Sequence, residues 1–137
     1  MARGEEIEGS CLCGEVGYSA EGPLIGVARC HCEQCRKASG AEFATNGSVH
    51  AASFRVRRGE ASLRAYESSP GQERVFCGRC GSPLFNRKAD QPELIRLRLG
   101  CLDSAIEERP AFHVFVSEKP GWSEISDPLP QFDTRPK

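Results

Sequence analysis

Hydrophobic and polar positions alternate in short runs along this chain. Val16, Tyr18 and Ala20 alternate in EVGYSA, Phe54 and Val56 in SFRVRR, and Leu63 and Ala65 in SLRAYE. In LIRLRLG, Ile95, Leu97 and Leu99 alternate with Arg96 and Arg98, and only Leu94 is out of phase. Phe112, Val114 and Val116 alternate with His113 and Phe115. A period of two sends successive side chains to opposite faces, so each run predicts a half-buried strand. No segment carries a long apolar pattern at the helical period. SSPGQE at 68–73 lies between two strand candidates and predicts a hairpin, and TNGS at 45–48 reads as a further turn. A short helix is expected from about Glu33 to Ser39, stopped by Gly40, and a second near Ser104 to Glu108. The tail from Lys119 holds Pro120, Pro128, Pro130 and Pro136, which predicts an extended segment wrapping the body. The pattern predicts one mainly β domain over residues 1–137, built of short antiparallel strands with one or two short helices.

Composition narrows the classes. The 137 residues are long enough to bury a core as one domain. Eighteen basic and nineteen acidic side chains leave a net charge of −1, so bulk attraction to nucleic acid or anionic lipid is not expected. No apolar run approaches the roughly 18–20 residues that span a bilayer. MARGEEIEGS is polar and acidic and predicts no secretory leader, which points to a cytoplasmic protein. Edge strands leave a monomer or a homodimer open. In a reducing compartment, the eight cysteines read as metal ligands or catalytic groups.

Those cysteines fall into groups. Cys11 and Cys13 stand in SCLCGE, Cys30, Cys32 and Cys35 in RCHCEQC, Cys77 and Cys80 in FCGRCGS, and Cys101 alone in LGCLD. Tetrahedral zinc–thiolate geometry needs sulfurs roughly 3.8 Å apart, which C-x-C and C-x-x-C turns deliver. Gly14, Gly78 and Gly81 suit such turns. The favoured pairing sets Cys11 and Cys13 with Cys77 and Cys80 as a closed structural site. The triplet Cys30, Cys32 and Cys35 then reads as a catalytic ligand set with an open fourth position, the feature separating catalytic from structural zinc. Competing readings are a four-disulfide framework, and a second closed site in which Cys101 completes the triplet. A redox or metal-buffering role for the crowded thiols is a third. Cys101 fits better as a small residue at a strand end, and His31 as a side chain pointing away from the metal.

The order GSCLCGEVGY, ARCHCEQCRKASGAEFAT, FCGRCGSPLF, LGCLD, PAFHVFV, PGW, LPQF resembles the glutathione-dependent formaldehyde-activating enzyme family, over about residues 9–132. The resemblance implies a mainly β fold related to the Mss4-like shape. It implies a structural zinc on Cys11, Cys13, Cys77 and Cys80 and a catalytic zinc on Cys30, Cys32 and Cys35. It also implies a carbon–sulfur lyase activity that joins glutathione to formaldehyde as S-hydroxymethylglutathione. The partners would be a small thiol, glutathione or another, and an aldehyde. The alternative class is a zinc-stabilised binding module for protein or nucleic acid. The extra three-cysteine set favours the enzyme.

Residues near the triplet are weaker candidates. Arg36, Lys37 and Ser39 follow it, and a cation there would suit a glutathione carboxylate, although a solvated helix face competes. Phe43, Thr45 and Asn46 come next, with Phe43 read as core. Trp122 is expected to pack the tail on the body. Asp103 is expected to cap the following turn or helix. The run RVRRGEASLR, with Arg55, Arg57, Arg58 and Arg64, reads as a charged strand edge.

Overall fold

Alternation builds two sheets. In the computed structural model, which describes residues 5–136, the chain runs β1 (Glu6–Ser10), β2 (Gly17–Glu21), β3 (Ile25–Cys30), α1 (Glu33–Ser39), β4 (Ala44–His50) and β5 (Arg55–Arg58). It continues through β6 (Leu63–Ser69), β7 (Gln72–Cys77), β8 (Pro83–Lys88), β9 (Leu94–Arg98) and β10 (Phe112–Val114). A three-stranded sheet has the order β1-β2-β5, and a seven-stranded sheet has the order β10-β3-β4-β9-β8-β7-β6. Every neighbouring pair is antiparallel except β10 with β3, which run parallel. The mainly β reading holds, with that one parallel pair as a correction.

Each strand divides its residues between two faces. Ile95 and Leu97 of β9, Val49 of β4, Val75 of β7, Phe85 of β8 and Val27 of β3 meet Ile7, Val16, Tyr18 and Ala20 of the three-stranded side in the main core. The intervening residues Arg96, Asn46, Ser48, Gln72, Arg74, Asn86, Ala28 and Cys30 line a cleft. A smaller cluster of Cys30, Cys35, Ala44 and Val114 packs beside that cleft.

The helix forms where expected. Gly40 closes α1 at φ 68°, in the left-handed region that favours glycine, and its N–H donates to the Arg36 carbonyl. The hairpin also forms, with Pro70 and Gly71 between β6 and β7. TNGS is not a turn. Its residues lie inside β4, because cross-strand bonds to β3 and β9 outweigh the local Asn-Gly preference. Ser104 to Glu108 is not helical. Ser104 instead serves β1, its Oγ accepting from Glu8 N–H at 2.8 Å while its own N–H donates to the Glu8 carbonyl. Asp103 caps no helix: its carboxylate accepts from the Ser10 hydroxyl at 2.6 Å. β5 is an edge strand as expected, and Arg55, Arg57, Arg58 and Arg64 all donate to neighbouring protein oxygens.

The tail does wrap. His113 N–H donates to the Pro130 carbonyl, Phe132 N–H to the His113 carbonyl, and Phe115 N–H to the Thr134 carbonyl, so the tail covers the β10 edge. Trp122 takes no part in this packing and is 71% exposed, against expectation. Among the described residues, no helix is long and apolar enough to cross a membrane.

Candidate metal centres and cleft

Two turns bring four sulfurs together. The β1–β2 connection carries Cys11 and Cys13, while Cys77 ends β7 and Cys80 lies in the β7–β8 connection. Their Sγ atoms all lie within 4.8 Å of one another. Cys11 and Cys13 are 3.6 Å apart, and Cys13 and Cys77 are 3.9 Å apart. The turns are closed by Gly14 N–H to the Cys11 carbonyl and by Gly81 N–H to the Cys77 carbonyl. Backbone N–H groups point at sulfur, from Val16 to Cys11 Sγ at 3.2 Å and from Arg79 to Cys77 Sγ at 3.4 Å. The Ser82 hydroxyl, then the backbone N–H groups of Cys13 and Ser82, pull the Cys80 thiol down to about 5. Donors converging on sulfur favour thiolates, which is the ligand state a metal needs.

The triplet is built differently. Cys30 ends β3, Cys32 is the N-cap of α1, and Cys35 lies in the first turn of that helix. Their sulfurs also lie within 4.8 Å of one another, with Cys30 and Cys32 at 3.4 Å. Cys35 N–H donates to Cys32 Sγ at 3.3 Å. Hydrogen bonds from the Cys30 and Cys32 thiols, then the Arg74 and Arg98 guanidiniums, hold Cys35 down to about 2 against the cost of burial. Arg74 approaches Cys35 Sγ with Nη1 at 3.8 Å and Nη2 at 3.9 Å. Its own placement is fixed by Ser68 Oγ at 3.0 Å and Gln34 Oε1 at 3.3 Å.

Both sulfur sets fit a thiophilic metal in donor type, spacing and hydrogen bonding. They differ in surroundings. The triplet opens on a 510 Å³ cleft lined by all three cysteines, Arg74, Arg96, Arg135, Asn46, Asn86 and the aromatic pair Phe112 and Phe115. The four-sulfur cluster lines no part of that cleft. Cys101 belongs to neither set, because its thiol donates to the Pro83 carbonyl at 3.1 Å.

His31 points away from the triplet. Alternation sends it to the opposite face, where it is buried and its Nε2 lies 2.8 Å from His113 Nδ1. His113 Nε2 lies 3.0 Å from both Asp127 oxygens, so it donates to the carboxylate and leaves Nδ1 to accept from His31. Phe43 lies against this pair, its ring centroid 5.3 Å from that of His31, and the Arg29 guanidinium lies over the Phe43 ring, 5.2 Å from its centroid. Arg36 bonds the His31 and Glu118 carbonyls, Lys37 pairs with Glu33 in solvent, and the Ser39 hydroxyl returns to the Cys35 carbonyl. None of these three, nor Thr45 or Phe43, lines the cleft, whereas Asn46 does.

The cleft arginines went unread in the sequence. A signal was present: Asn46 and Ser48, Gln72 and Arg74, Asn86 and Lys88, and Arg96 and Arg98 are polar pairs two residues apart on four strands. A polar strand face ordinarily means solvent. Here Arg74, Arg98, Asn46 and Asn86 are all buried on it.

The family model described as glutathione-dependent formaldehyde-activating enzyme matches residues 6–118. A Halomonas elongata protein, provisionally named a glutathione-dependent formaldehyde-activating enzyme, is 37% identical over 127 residues, covering 87% of this chain and 80% of the relative. A Schizosaccharomyces pombe protein named an uncharacterized lyase is 35% identical over 82 residues, which are 58% of this chain and 56% of that one. A crystal structure of a Rhodobacter sphaeroides protein superposes with a TM-score of 0.62 at 25% identity, covering 75% of this chain and 97% of the other. The matched span takes in both sulfur clusters and the strands that carry the cleft, and the chain belongs to the glutathione-dependent formaldehyde-activating enzyme family.

Proposed function

We propose that this chain is a zinc-dependent carbon–sulfur lyase that joins a small thiol to an aldehyde, in the family's sense glutathione to formaldehyde. The observation that carries this reading is the three-sulfur cluster opening on a cleft, separate from a four-sulfur cluster that does not. Cys11, Cys13, Cys77 and Cys80 would hold a structural zinc, and Cys30, Cys32 and Cys35 a catalytic one. A zinc ion with three protein ligands supplies Lewis acidity and a position for a soft or oxygen ligand.

The chain's own groups do the rest. Arg74 and Arg98 set a positive field over the triplet, which favours a thiolate over a thiol near Cys35. A sulfur lone pair of the substrate forms the carbon–sulfur bond as the carbonyl π pair moves onto oxygen. That oxygen takes up one proton, equal to the one the thiol gave up, so the hemithioacetal forms without net charge change. The same field stabilises negative charge developing on the oxygen. Phe112, Phe115 and Val114 give the cleft an apolar side that limits water near the reacting atoms.

Metal content tests this. Protein purified under reducing conditions without chelator is expected to hold two zinc ions, falling to about one in Cys32→Ser with the fold kept. One zinc, unchanged by the mutation and not increased by added zinc, would leave a binding module as the better reading.

A further inference from the structure

The cationic face of the cleft extends past the triplet. Arg96 and Arg135 line the cleft with Arg74, and Lys88 lines its continuation together with Arg96, Asn86 and Gln72. β9 supplies Arg96, β8 supplies Lys88, and the tail returns Arg135 over the Phe115 ring at 5.1 Å. Among the described residues, Lys88, Arg96 and Arg135 form no ion pair and donate no side-chain hydrogen bond to protein. Burial first, then Arg135, holds both Lys88 and Arg96 below their ordinary ranges, and each of these two is also repelled by a further arginine. Asp90 and Cys30 offset this in part at Lys88, and Cys30 and Cys35 offset it in part at Arg96. Glu118 also lines the cleft, but its carboxylate accepts from the Glu33 N–H and pairs with none of the three. Three neighbouring cations without an ion-pair partner are costly to bring together.

A second observation lies deeper. Asn46 also lines the cleft, is 7% exposed, and its Oδ1 is buried without a donor. Arg98, its register partner across β4 and β9, has Nη1 buried without an acceptor. Arg98 stands behind the cleft lining, whereas Asn46 Oδ1 is on it and marks a position that a ligand's donor completes.

We infer that this wall is a carboxylate subsite: the thiol substrate carries a carboxylate that rests against Arg96, Lys88 and Arg135, and an N–H that Asn46 Oδ1 accepts. The inference rests on the reading of the cleft as the thiol site, and it makes Arg96 and Asn46 specificity-determining residues. A neutral thiol such as cysteamine's N-acetyl derivative meets the triplet and leaves the wall uncompensated. Planar guanidinium on carboxylate gives paired charge-assisted bonds, which a methyl ester does not reproduce.

The test is calorimetric and does not depend on turnover. Zinc-loaded protein is titrated with glutathione and with glutathione esterified at both carboxylates. Glutathione is expected to bind at least about tenfold more tightly, the least that one lost charge-assisted bond gives. Arg96→Gln should lose about that factor for glutathione and leave the diester unchanged, whereas Asn46→Ala should weaken both alike, because the ester keeps its N–H groups. Thermal melting shows whether each variant is folded, and Lys88→Gln, at a more open position, repeats the comparison should Arg96→Gln not fold. Equal affinity for acid and diester overturns the subsite and leaves the thiol site standing. Failure of both to bind overturns the two together.

Discussion

Asp127 shows how one side chain ties the tail to the core. Its carboxylate accepts from His113 Nε2 and Leu129 N–H and pairs with Arg29 at 3.1 Å. The His113 bond first, then the Leu129 N–H, holds it below the usual carboxylate range. A carboxylate depressed in the folded state contributes stability that is present above its unfolded value and lost as pH falls through the folded one. Thermal melts should therefore show midpoints declining as pH drops below about 4. Asp127→Asn should melt lower than the parent at pH 7 and decline less over that acid window. Parallel curves for the two proteins would remove Asp127 from the account. A second contrast belongs at this scale. Leu97 is fully buried in the main core and Leu12 is 88% exposed beside Cys11 and Cys13. Urea unfolding should register a loss of about 2–5 kcal/mol for Leu97→Ala, and less than about 0.5 kcal/mol for Leu12→Ala.

Elements here are decided by which face they bury, and that governed what the sequence revealed. In β9 the alternation of Ile95 and Leu97 with Arg96 and Arg98 is plain to read, and the strand forms there. Its second face was not legible, because period two separates faces without saying that the polar one is covered. Residues of α1, β10 and the tail line the same cleft as Arg96, and they come from positions 34 to 136 of the chain. Local signals also lost where tertiary pairing competed: Asn46 and Gly47 read as a turn and sit mid-strand between β3 and β9. The sulfur spacing survived better, because C-x-C and C-x-x-C are local geometry. Gly59 gives an element-scale prediction. It turns β5 toward β6 at φ 76°, and an added Cβ would run into the Glu15 carbonyl. Gly59→Ala should destabilise by more than about 1 kcal/mol in urea, and an unchanged midpoint would mean that the turn relaxes freely.

At the scale of the whole molecule, the two sulfur clusters serve opposite ends of the same architecture. The four-sulfur set joins turns from different sheets, bridging 64 residues between Cys13 and Cys77. The triplet comes from one local segment at the β3–α1 junction and holds no distant strands together. A metal on the first set therefore constrains the fold, and its binding free energy is linked to folding. A metal on the second occupies a cleft that the fold has already shaped. Cys80→Ser should accordingly lower the unfolding free energy measured in urea by several kcal/mol in order of magnitude, given apparent structural-zinc affinities of about 10–16 kcal/mol. Cys32→Ser should change that free energy by less than about 1 kcal/mol while abolishing the thiol binding proposed above, since Cys32 is partly exposed and caps a helix of only seven residues. Chelator added to the parent protein should reproduce these effects in sequence, emptying the three-ligand site first with the fold intact and unfolding the chain only when the four-ligand site gives way. Simultaneous loss would mean that the triplet also holds the fold together, through α1 and the tail that packs beside it.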